Sequence, residues 1–200
     1  MDNTETLETE RLILRKVTIN DLVNVLDIDD SLIVDLCLYN GSTIFNKEYK
    51  TNCAYVKKHI ALKLKQANDI AKTYNLRIKV CDAFRPYSIT KKHAIMRPDL
   101  VTKGLLAPES GSWHNAGLAV DVTLVDESGE ELLMPSKVQD FNAVNNYEEN
   151  DNSILLKKIM NEAGFGKLKS EWWHFQDIYD ENKNKLILGS KEAPIYTFEI

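Results

Sequence analysis

A ten-residue stretch that ends at Asp121 joins a histidine, His114, to an aspartate that falls inside a predicted β-strand. From 117 to 126, apolar residues alternate with small or polar ones, which is the two-residue period of a strand. Asp121 then lies on the face opposite the apolar residues. Burying an unpaired carboxylate is costly. The chain must therefore fold so that a metal cation or an arginine reaches that face.

A second motif, Glu171-Trp172-Trp173-His174, ends fifty-three residues after Asp121. Catalytic zinc sites take three nitrogen or oxygen ligands from the protein, keep one position open for water, and place a carboxylate nearby to accept a proton. His114, Asp121 and His174 can supply the ligands, and Glu171 is then the spare carboxylate. Each of these residues alone is more often a surface or hydrogen-bonded side chain. The prediction of a zinc site depends on their combination.

A third motif, Asp82-Ala83-Phe84-Arg85-Pro86, directly follows a predicted strand over 76–81. The end of a strand holds a side chain rigidly, and Pro86 stops the strand there. The guanidinium of Arg85 keeps its charge, and its planar shape suits a carboxylate or a developing oxyanion. The residues alone leave two roles open for this arginine: catalysis, or an ion pair with a local acid such as Asp82.

Together, S-x-H-x-x-G-x-A-x-D, E-W-W-H and D-A-F-R-P make the chain resemble the VanX-type D-alanyl-D-alanine dipeptidase family from about residue 27 to residue 178. That family consists of zinc enzymes of the D-Ala-D-Ala peptidase superfamily. The resemblance implies hydrolysis of a short peptide, in the first place D-Ala-D-Ala, with Zn²⁺ as the cofactor. It implies three zinc ligands, a general base and an arginine that stabilises the transition state: His114, Asp121 and His174, then Glu171, then Arg85.

The resemblance also indicates how the substrate is held. Ser112 matches a serine that hydrogen-bonds the substrate backbone in the family. The family engages the ammonium of the substrate with an acid in an M-G-x-x-F-D-x-F-like segment. The corresponding run here is 134–141, with Gln139 at the position of the acid and Asp140 one residue later. We expect a one-residue shift that lets Asp140 bind the ammonium.

The expected fold is α+β: one domain with a central, mostly antiparallel sheet, flanking helices, and the zinc site at the sheet. Two hundred residues suit one domain with a small extension. We place an N-terminal extension, a strand plus a short helix, at 1–26, and the catalytic domain at 27–200. Helices are predicted over 54–74, 88–96 and 152–163.

Further strands are predicted over 30–38 and 131–134, and His59 and His93 are expected at the surface. The last predicted strand region, 168–178, contains both the spare carboxylate and the second histidine of the site. These two residues are three apart, and residues three apart on a regular strand face opposite sides. They share a site only if a bulge intervenes or the glutamate precedes the strand proper.

Charge and cysteine content exclude several classes of protein. The net charge of −5 disfavours nucleic acid and anionic membranes as partners. Three cysteines without a CxxC pair indicate neither a disulfide framework nor a cysteine zinc site. The chain shows neither the pattern of a signal peptide nor an apolar run of membrane-spanning length. We expect a cytoplasmic protein that binds a small peptide, with no obligate protein partner.

Three alternative functions match part of the sequence. A D,D- or L,D-carboxypeptidase acting on peptidoglycan stem peptides would use the same chemistry. The run 8–15 resembles the first strand of GNAT-type acetyltransferases, which hold a pyrophosphate at a glycine-rich loop before a helix. The nearest such loop, 114–119, runs into a strand instead. A non-catalytic peptide-binding domain is the third alternative, but the full set of chemical residues argues against it.

Overall fold

The computed structural model describes residues 22–141, 148–179 and 182–196. The strands in these ranges are β1 (Leu22–Asn24), β2 (Ile33–Val34), β3 (Tyr55–Lys57), β4 (Arg77–Asp82), β5 (Ala119–Val125), β6 (Gly166–Lys167) and β7 (His174–Gln176). The α-helices are α1 (Cys37–Asn40), α2 (Lys58–Lys72), α3 (Tyr87–Met96), α4 (Pro98–Thr102) and α5 (Asp151–Glu162). Short 3-10 turns cover Val25–Asp27 and Trp113–Ala116.

The centre of the fold is a five-stranded sheet with the strand order β2-β4-β5-β7-β6. Its β2–β4 pair is parallel, whereas the β4–β5, β5–β7 and β6–β7 pairs are antiparallel. A separate two-stranded sheet pairs β1 with β3. Helix α2 packs against β4 and against α5. The predicted α+β domain, with a mostly antiparallel sheet and flanking helices, is confirmed.

Strand β5 lies in the middle of the sheet, and all seven of its residues are buried. Strands β4 and β7 pair with its two edges, and helix α5 contacts it. Asp121 and Thr123 are therefore buried together with the apolar residues of the strand. The alternating sequence is typical of an antiparallel strand with one solvated face, but here both faces are covered.

Helix α2 buries an apolar stripe whose members recur at steps of three or four: Ile60, Leu64, Ala67 and Ala71. The helix begins at Lys58, four residues later than predicted. Residues 55–57 pair with β1 instead, and the N–H of Lys57 donates to the carbonyl of Gly117 at 2.9 Å. Because Val56 fits both the strand period and the helix period, the hydrophobic pattern alone predicts too early a start for the helix.

Two of the predicted strands are much shorter than expected. Of the strand at 30–38 only β2 is present, because α1 follows it directly. The strand at 131–134 is reduced to a single bridge between Val125 and Glu131. In contrast, the helices predicted at 88–96 and 152–163 are confirmed as α3 and α5.

The two histidines outside the predicted site differ in their burial. His59 is exposed, as predicted, whereas His93 is only 2% exposed and stacks on Phe45 with ring centroids 3.6 Å apart. The lysines beside His93 in the sequence favour the prediction of an exposed side chain. A helix has two faces, however, and Lys92 reaches outward to Glu48 while His93 turns inward. Burial lowers the pKa of His93 to about 3.

The domain boundary after residue 26 remains a proposal, because residues 1–21 lie outside the described ranges. A short helix is expected in this extension, but its described residues form β1 followed by a 3-10 turn. Among the helices of the described residues, none combines the length and the apolar character that crossing a membrane requires.

Candidate active site

Three neighbouring strands bring the candidate residues together. Asp82 at the end of β4 stands opposite Asp121 in β5, and Asp121 stands opposite His174 at the start of β7. All three side chains are buried. Strand register therefore explains how residues that are far apart in the sequence meet at one point of the sheet.

His114 reaches the same point from the 3-10 turn Trp113–Ala116, which directly precedes β5. The hydroxyl of Ser112 accepts the N–H of His114 at 3.3 Å, and the side chain of Asn115 accepts the N–H of Ser112 at 2.7 Å. These reciprocal bonds form a capping box that fixes the start of the turn. Gly117 ends the turn with a φ of 65°.

Replacing Gly117 with alanine should destabilise the protein by about 1–3 kcal/mol, because it adds a steric clash to backbone strain. A Cβ there would lie 2.6 Å from Leu22 Cδ2 and 3.2 Å from the backbone nitrogen of Lys57. Gly104→Ala is a matched control, since Gly104 has a φ of 69° but nothing within 4 Å of its Cβ position. Urea denaturation of both variants measures the difference. Equal losses of unfolding free energy would show that the close contact does not matter.

Two ring nitrogens and one carboxylate oxygen face one another at the site. His114 Nε2 lies 3.2 Å from His174 Nδ1 and 3.4 Å from Asp121 Oδ1. His174 Nδ1 lies 3.1 Å from the same oxygen. Within the described ranges, this is the one group of three histidine, cysteine or acidic side chains whose ligand atoms converge so closely.

Hydrogen bonds behind the two rings determine which nitrogens carry a hydrogen. His114 Nδ1 lies 2.7 Å from the carbonyl oxygen of Ala83, which can only accept, so the lone pair is on Nε2. His174 Nε2 likewise donates to Gln176 Oε1 at 3.0 Å, which leaves the lone pair on Nδ1. Two lone pairs and a carboxylate oxygen therefore converge, and a cation is needed between them.

The donor set fits zinc. Zinc takes imidazole nitrogens and carboxylate oxygens at about 2.0–2.2 Å, and tetrahedral angles then place the ligand atoms roughly 3.3 Å apart. The three observed separations lie between 3.1 and 3.4 Å. Burial lowers the pKa of His174, but the Asp121 carboxylate outweighs this effect and raises it to about 9, so Nδ1 gives up a proton to provide its lone pair when a metal binds. The electrostatic field of the site thus draws a positive charge to this point.

Glu171 lies in the loop before β7, so it precedes the strand proper and can share a site with His174. Its Oε2 atom lies 3.9 Å from His174 Nδ1, farther than any separation within the candidate ligand set. Burial raises the pKa of the Glu171 carboxyl group. A carboxylate that is close to the metal position, but outside the ligand set, is suited to accepting and returning a proton.

Arg85 pairs with Asp82 and also lines the cavity, so its position is compatible with both roles that the sequence left open. Its Nε donates to Asp82 Oδ2 at 3.1 Å, and its Nη2 donates to the same oxygen. The hydroxyl of Tyr49 donates to Asp82 Oδ1 at 2.7 Å. Burial lowers the pKa of Arg85, but the charge of Asp82 more than offsets this and raises the pKa above its ordinary value.

Arg85→Lys should lower kcat/KM for the reaction proposed below by about 10²–10³-fold, because an ammonium cannot hold Asp82 and reach the cavity as a planar guanidinium does. The matched control is Arg97→Lys, in which an exposed Arg97–Asp99 pair with the same two donor atoms is changed. Steady-state kinetics of both variants decide the matter. An unchanged kcat/KM in Arg85→Lys would show that Arg85 serves only in a structural ion pair with Asp82.

The two expected substrate-binding residues occupy different positions. Ser112 lines the cavity while its hydroxyl oxygen caps the turn that carries His114. Gln139 also lines the cavity, whereas Asp140 is not part of the cavity wall. The structure thus does not bring Asp140 to the site, and its role as the ammonium-binding acid stays a prediction.

The residues of the site that sequence analysis missed are chiefly hydrogen-bond partners. Gln176 could have been found, because it follows His174 by two positions on a strand and therefore shares its face. Tyr49 gave no such signal, since it comes from a loop and reaches Asp82 across 33 positions of the sequence. The hydrogen bonds from Gln139 Nε2 to Asp82 and Asp121 depend on a loop conformation that the sequence alone does not specify.

The candidate site opens into a cavity of about 430 Å³. Cavities of roughly 300–1,000 Å³ hold ligands of small-molecule size, so a short peptide fits. Its wall beyond the polar site residues is mostly apolar, with Val101, Leu105, Leu106, Phe141, Leu168 and Leu188. Among the described residues, the carboxylates that line it are Asp121 and Glu171.

Comparison with known proteins connects this chain to one family. The family model Peptidase_M15, described as D-ala-D-ala dipeptidase, matches residues 20–189. The D-alanyl-D-alanine dipeptidase of Enterococcus faecalis is 28% identical over 156 residues, which cover 65% of this chain and 76% of that protein. The D-alanyl-D-alanine dipeptidase of Escherichia coli K12 is 27% identical over 164 residues, covering 78% and 84%. The solved structure of the LdcB LD-carboxypeptidase is 22% identical, with a TM-score of 0.45 over 78% of this chain and 67% of that one.

Proposed function

The chain belongs to the D-ala-D-ala dipeptidase family of the M15 peptidases, and from this premise we propose that it is a zinc-dependent peptidase that hydrolyses a short peptide, in the first place D-alanyl-D-alanine. The observation that carries the proposal is the convergence of two imidazole lone pairs and one carboxylate oxygen at a cavity of peptide size. Two relatives that are named D-alanyl-D-alanine dipeptidases support this choice of substrate.

In this proposal His114, Asp121 and His174 hold the zinc ion. When bound, zinc supplies an activated water, whose pKa it lowers to about 7, and polarises the peptide carbonyl. The hydrogen bonds to Ala83 and Gln176 keep both rings in the tautomers that the site requires. The chain thus contributes a set of ligands that is already oriented before the substrate arrives.

Two further residues act on the substrate. Glu171 accepts the proton of the attacking water and returns it to the leaving amine, a task for which its raised pKa is suited. Arg85 donates hydrogen bonds to the oxyanion that develops on the carbonyl oxygen, while Asp82 holds the guanidinium in place. The hydroxyl of Ser112, at the cavity wall, hydrogen-bonds the substrate backbone.

A second candidate function is carboxypeptidase activity on a longer or blocked peptide. It is favoured by one observation: Gln139 lines the cavity at the position where an ammonium-binding acid is expected, and Asp140 does not line it. In the dipeptidase proposal, Asp121 and Glu171 are already engaged as ligand and base. Binding of the free ammonium group of a dipeptide then depends on Asp140, which would have to reach the substrate by a shift of its loop.

Hydrolysis of three matched substrates by the zinc-loaded protein tests the proposal. They are D-Ala-D-Ala, L-Ala-L-Ala and N-acetyl-D-Ala-D-Ala. Release of alanine from D-Ala-D-Ala alone, with a raised KM in Asp140→Asn, supports the dipeptidase and the role of Asp140. Cleavage of the acetylated substrate supports the carboxypeptidase. Absence of turnover of all three would contradict both candidate functions.

The proposed ligand is a small peptide rather than nucleic acid, which is consistent with the net charge of −5. We further propose that the protein works in the cytoplasm and without an obligate protein partner. Fractionation of cells and gel filtration of the lysate test these two points. Recovery of the protein with membranes, outside the cell, or in a stable heteromeric complex would contradict them.

A further inference from the structure

Gln139 has a backbone conformation that needs an explanation. Its φ is 58°, in the left-handed region that residues other than glycine, asparagine and aspartate rarely adopt. Its side chain is nevertheless buried, with 6% exposed, and lines the cavity. Such backbone strain persists only where surrounding contacts hold the residue in place, and it is frequent at functional sites.

The contacts that hold Gln139 are two buried carboxylates. Its Nε2 donates to Asp82 Oδ2 at 3.0 Å and to Asp121 Oδ2 at 2.9 Å. Asp82 and Asp121 are direct partners across β4 and β5, so their negative charges lie side by side. Like charges in a buried site repel each other. A neutral amide group with two hydrogens can satisfy one oxygen of each carboxylate at the same time.

Each carboxylate also serves a second group. Asp121 turns Oδ1 towards both histidines and Oδ2 towards Gln139. Asp82 shares the oxygen that accepts from Gln139 with the guanidinium of Arg85. The amide of Gln139 therefore ties the candidate metal ligand to the ion pair that orients the arginine.

We propose that Gln139 is a positioning residue, which fixes the rotation of Asp121 at the metal site and couples it to the Asp82–Arg85 pair. The inference rests on the proposed function in taking Asp121 as a zinc ligand. Partners of ligating carboxylates typically affect metal affinity by about 10–100-fold. The amide hydrogens of Gln139 are thus committed to the protein, which gives this position a different task from that of a substrate-binding acid.

The test uses Gln139→Met, which keeps the length of the side chain and removes both hydrogens. Zinc affinity, measured by competition with a chelator, should fall about 10–100-fold. The absorption spectrum of the Co²⁺-loaded protein should change, because the Asp121 carboxylate is free to rotate. At saturating zinc, kcat should fall while KM changes little. Gln66→Met, on the exposed face of α2, is the matched control and should leave all three quantities unchanged.

Wild-type zinc affinity and an unchanged cobalt spectrum in Gln139→Met would overturn the inference. Because both readouts are independent of turnover, they remain decisive even if the wild-type protein hydrolyses none of the peptides, an outcome that contradicts only the proposed function. If Gln139→Met does not fold, Gln139→Glu replaces it. Its carboxyl group has at most one hydrogen and cannot serve both aspartates, so the cobalt spectrum should again change; an unchanged spectrum would overturn the inference.

Discussion

Replacing Glu171 with glutamine should lower kcat for D-Ala-D-Ala by about 10²–10⁴-fold, the range that a general base contributes. The amide keeps the shape of the side chain but cannot accept the proton of the attacking water. Glu171 lies 3.9 Å from His174 Nδ1 and outside the candidate ligand set. The variant should therefore retain zinc, which elemental analysis of the dialysed protein measures beside the kinetics.

Glu162→Gln is the matched control for this experiment, because Glu162 is exposed at the end of α5. It should keep the activity of the wild-type protein. Two results would contradict the role of Glu171. One is a Glu171→Gln variant with near-normal kcat; the other is a loss of zinc in parallel with activity, which would make this residue a ligand rather than a base.

Replacing His174 with alanine should remove both zinc binding and activity. Protein zinc sites reach about 10–16 kcal/mol, so the loss of one of three protein ligands should cost on the order of 4 kcal/mol, about a thousandfold in affinity. The substitution also removes the ring whose Nδ1 lies 3.1 Å from Asp121 Oδ1, which leaves this buried carboxylate with Gln139 and His114 as its remaining close partners. Chelator competition and peptide hydrolysis are the two measurements.

His59→Ala is the control for His174→Ala, since His59 is exposed and away from the cavity. It should bind zinc and turn over substrate as the wild-type protein does. If His174→Ala retained one tightly bound zinc ion per chain, the ligand set would have to be a different one. Circular dichroism of the zinc-free proteins separates a lost ligand from a lost fold.

Local patterns predicted the parts of the fold that depend on neighbouring residues. The apolar stripe of α2 follows a helical period, and the alternating residues of β5 follow that of a strand. The start of α2 was placed too early because residue 56 satisfies both periods. The burial of His93 was missed for a related reason: it depends on Phe45, a ring from a distant loop, rather than on the lysines beside it.

The candidate site was predictable to the extent that its chemistry is carried by motifs. A carboxylate inside a strand, such as Asp121, indicates a positively charged partner. His114 and His174 add two possible zinc ligands, and Glu171 adds a possible general base. What could not be predicted depends on tertiary contacts. Gln139, whose own backbone is in the left-handed conformation, reaches Asp121 from a turn, and Tyr49 reaches Asp82 from a separate loop.

The most direct test of the central claim is a zinc titration of the metal-free protein with D-Ala-D-Ala as the substrate and alanine release as the readout. We expect no activity without zinc and a linear rise that saturates at one zinc ion per chain, held by His114, Asp121 and His174. L-Ala-L-Ala should remain intact throughout. Full activity of the metal-free protein, or no alanine release at any zinc content, would contradict the account.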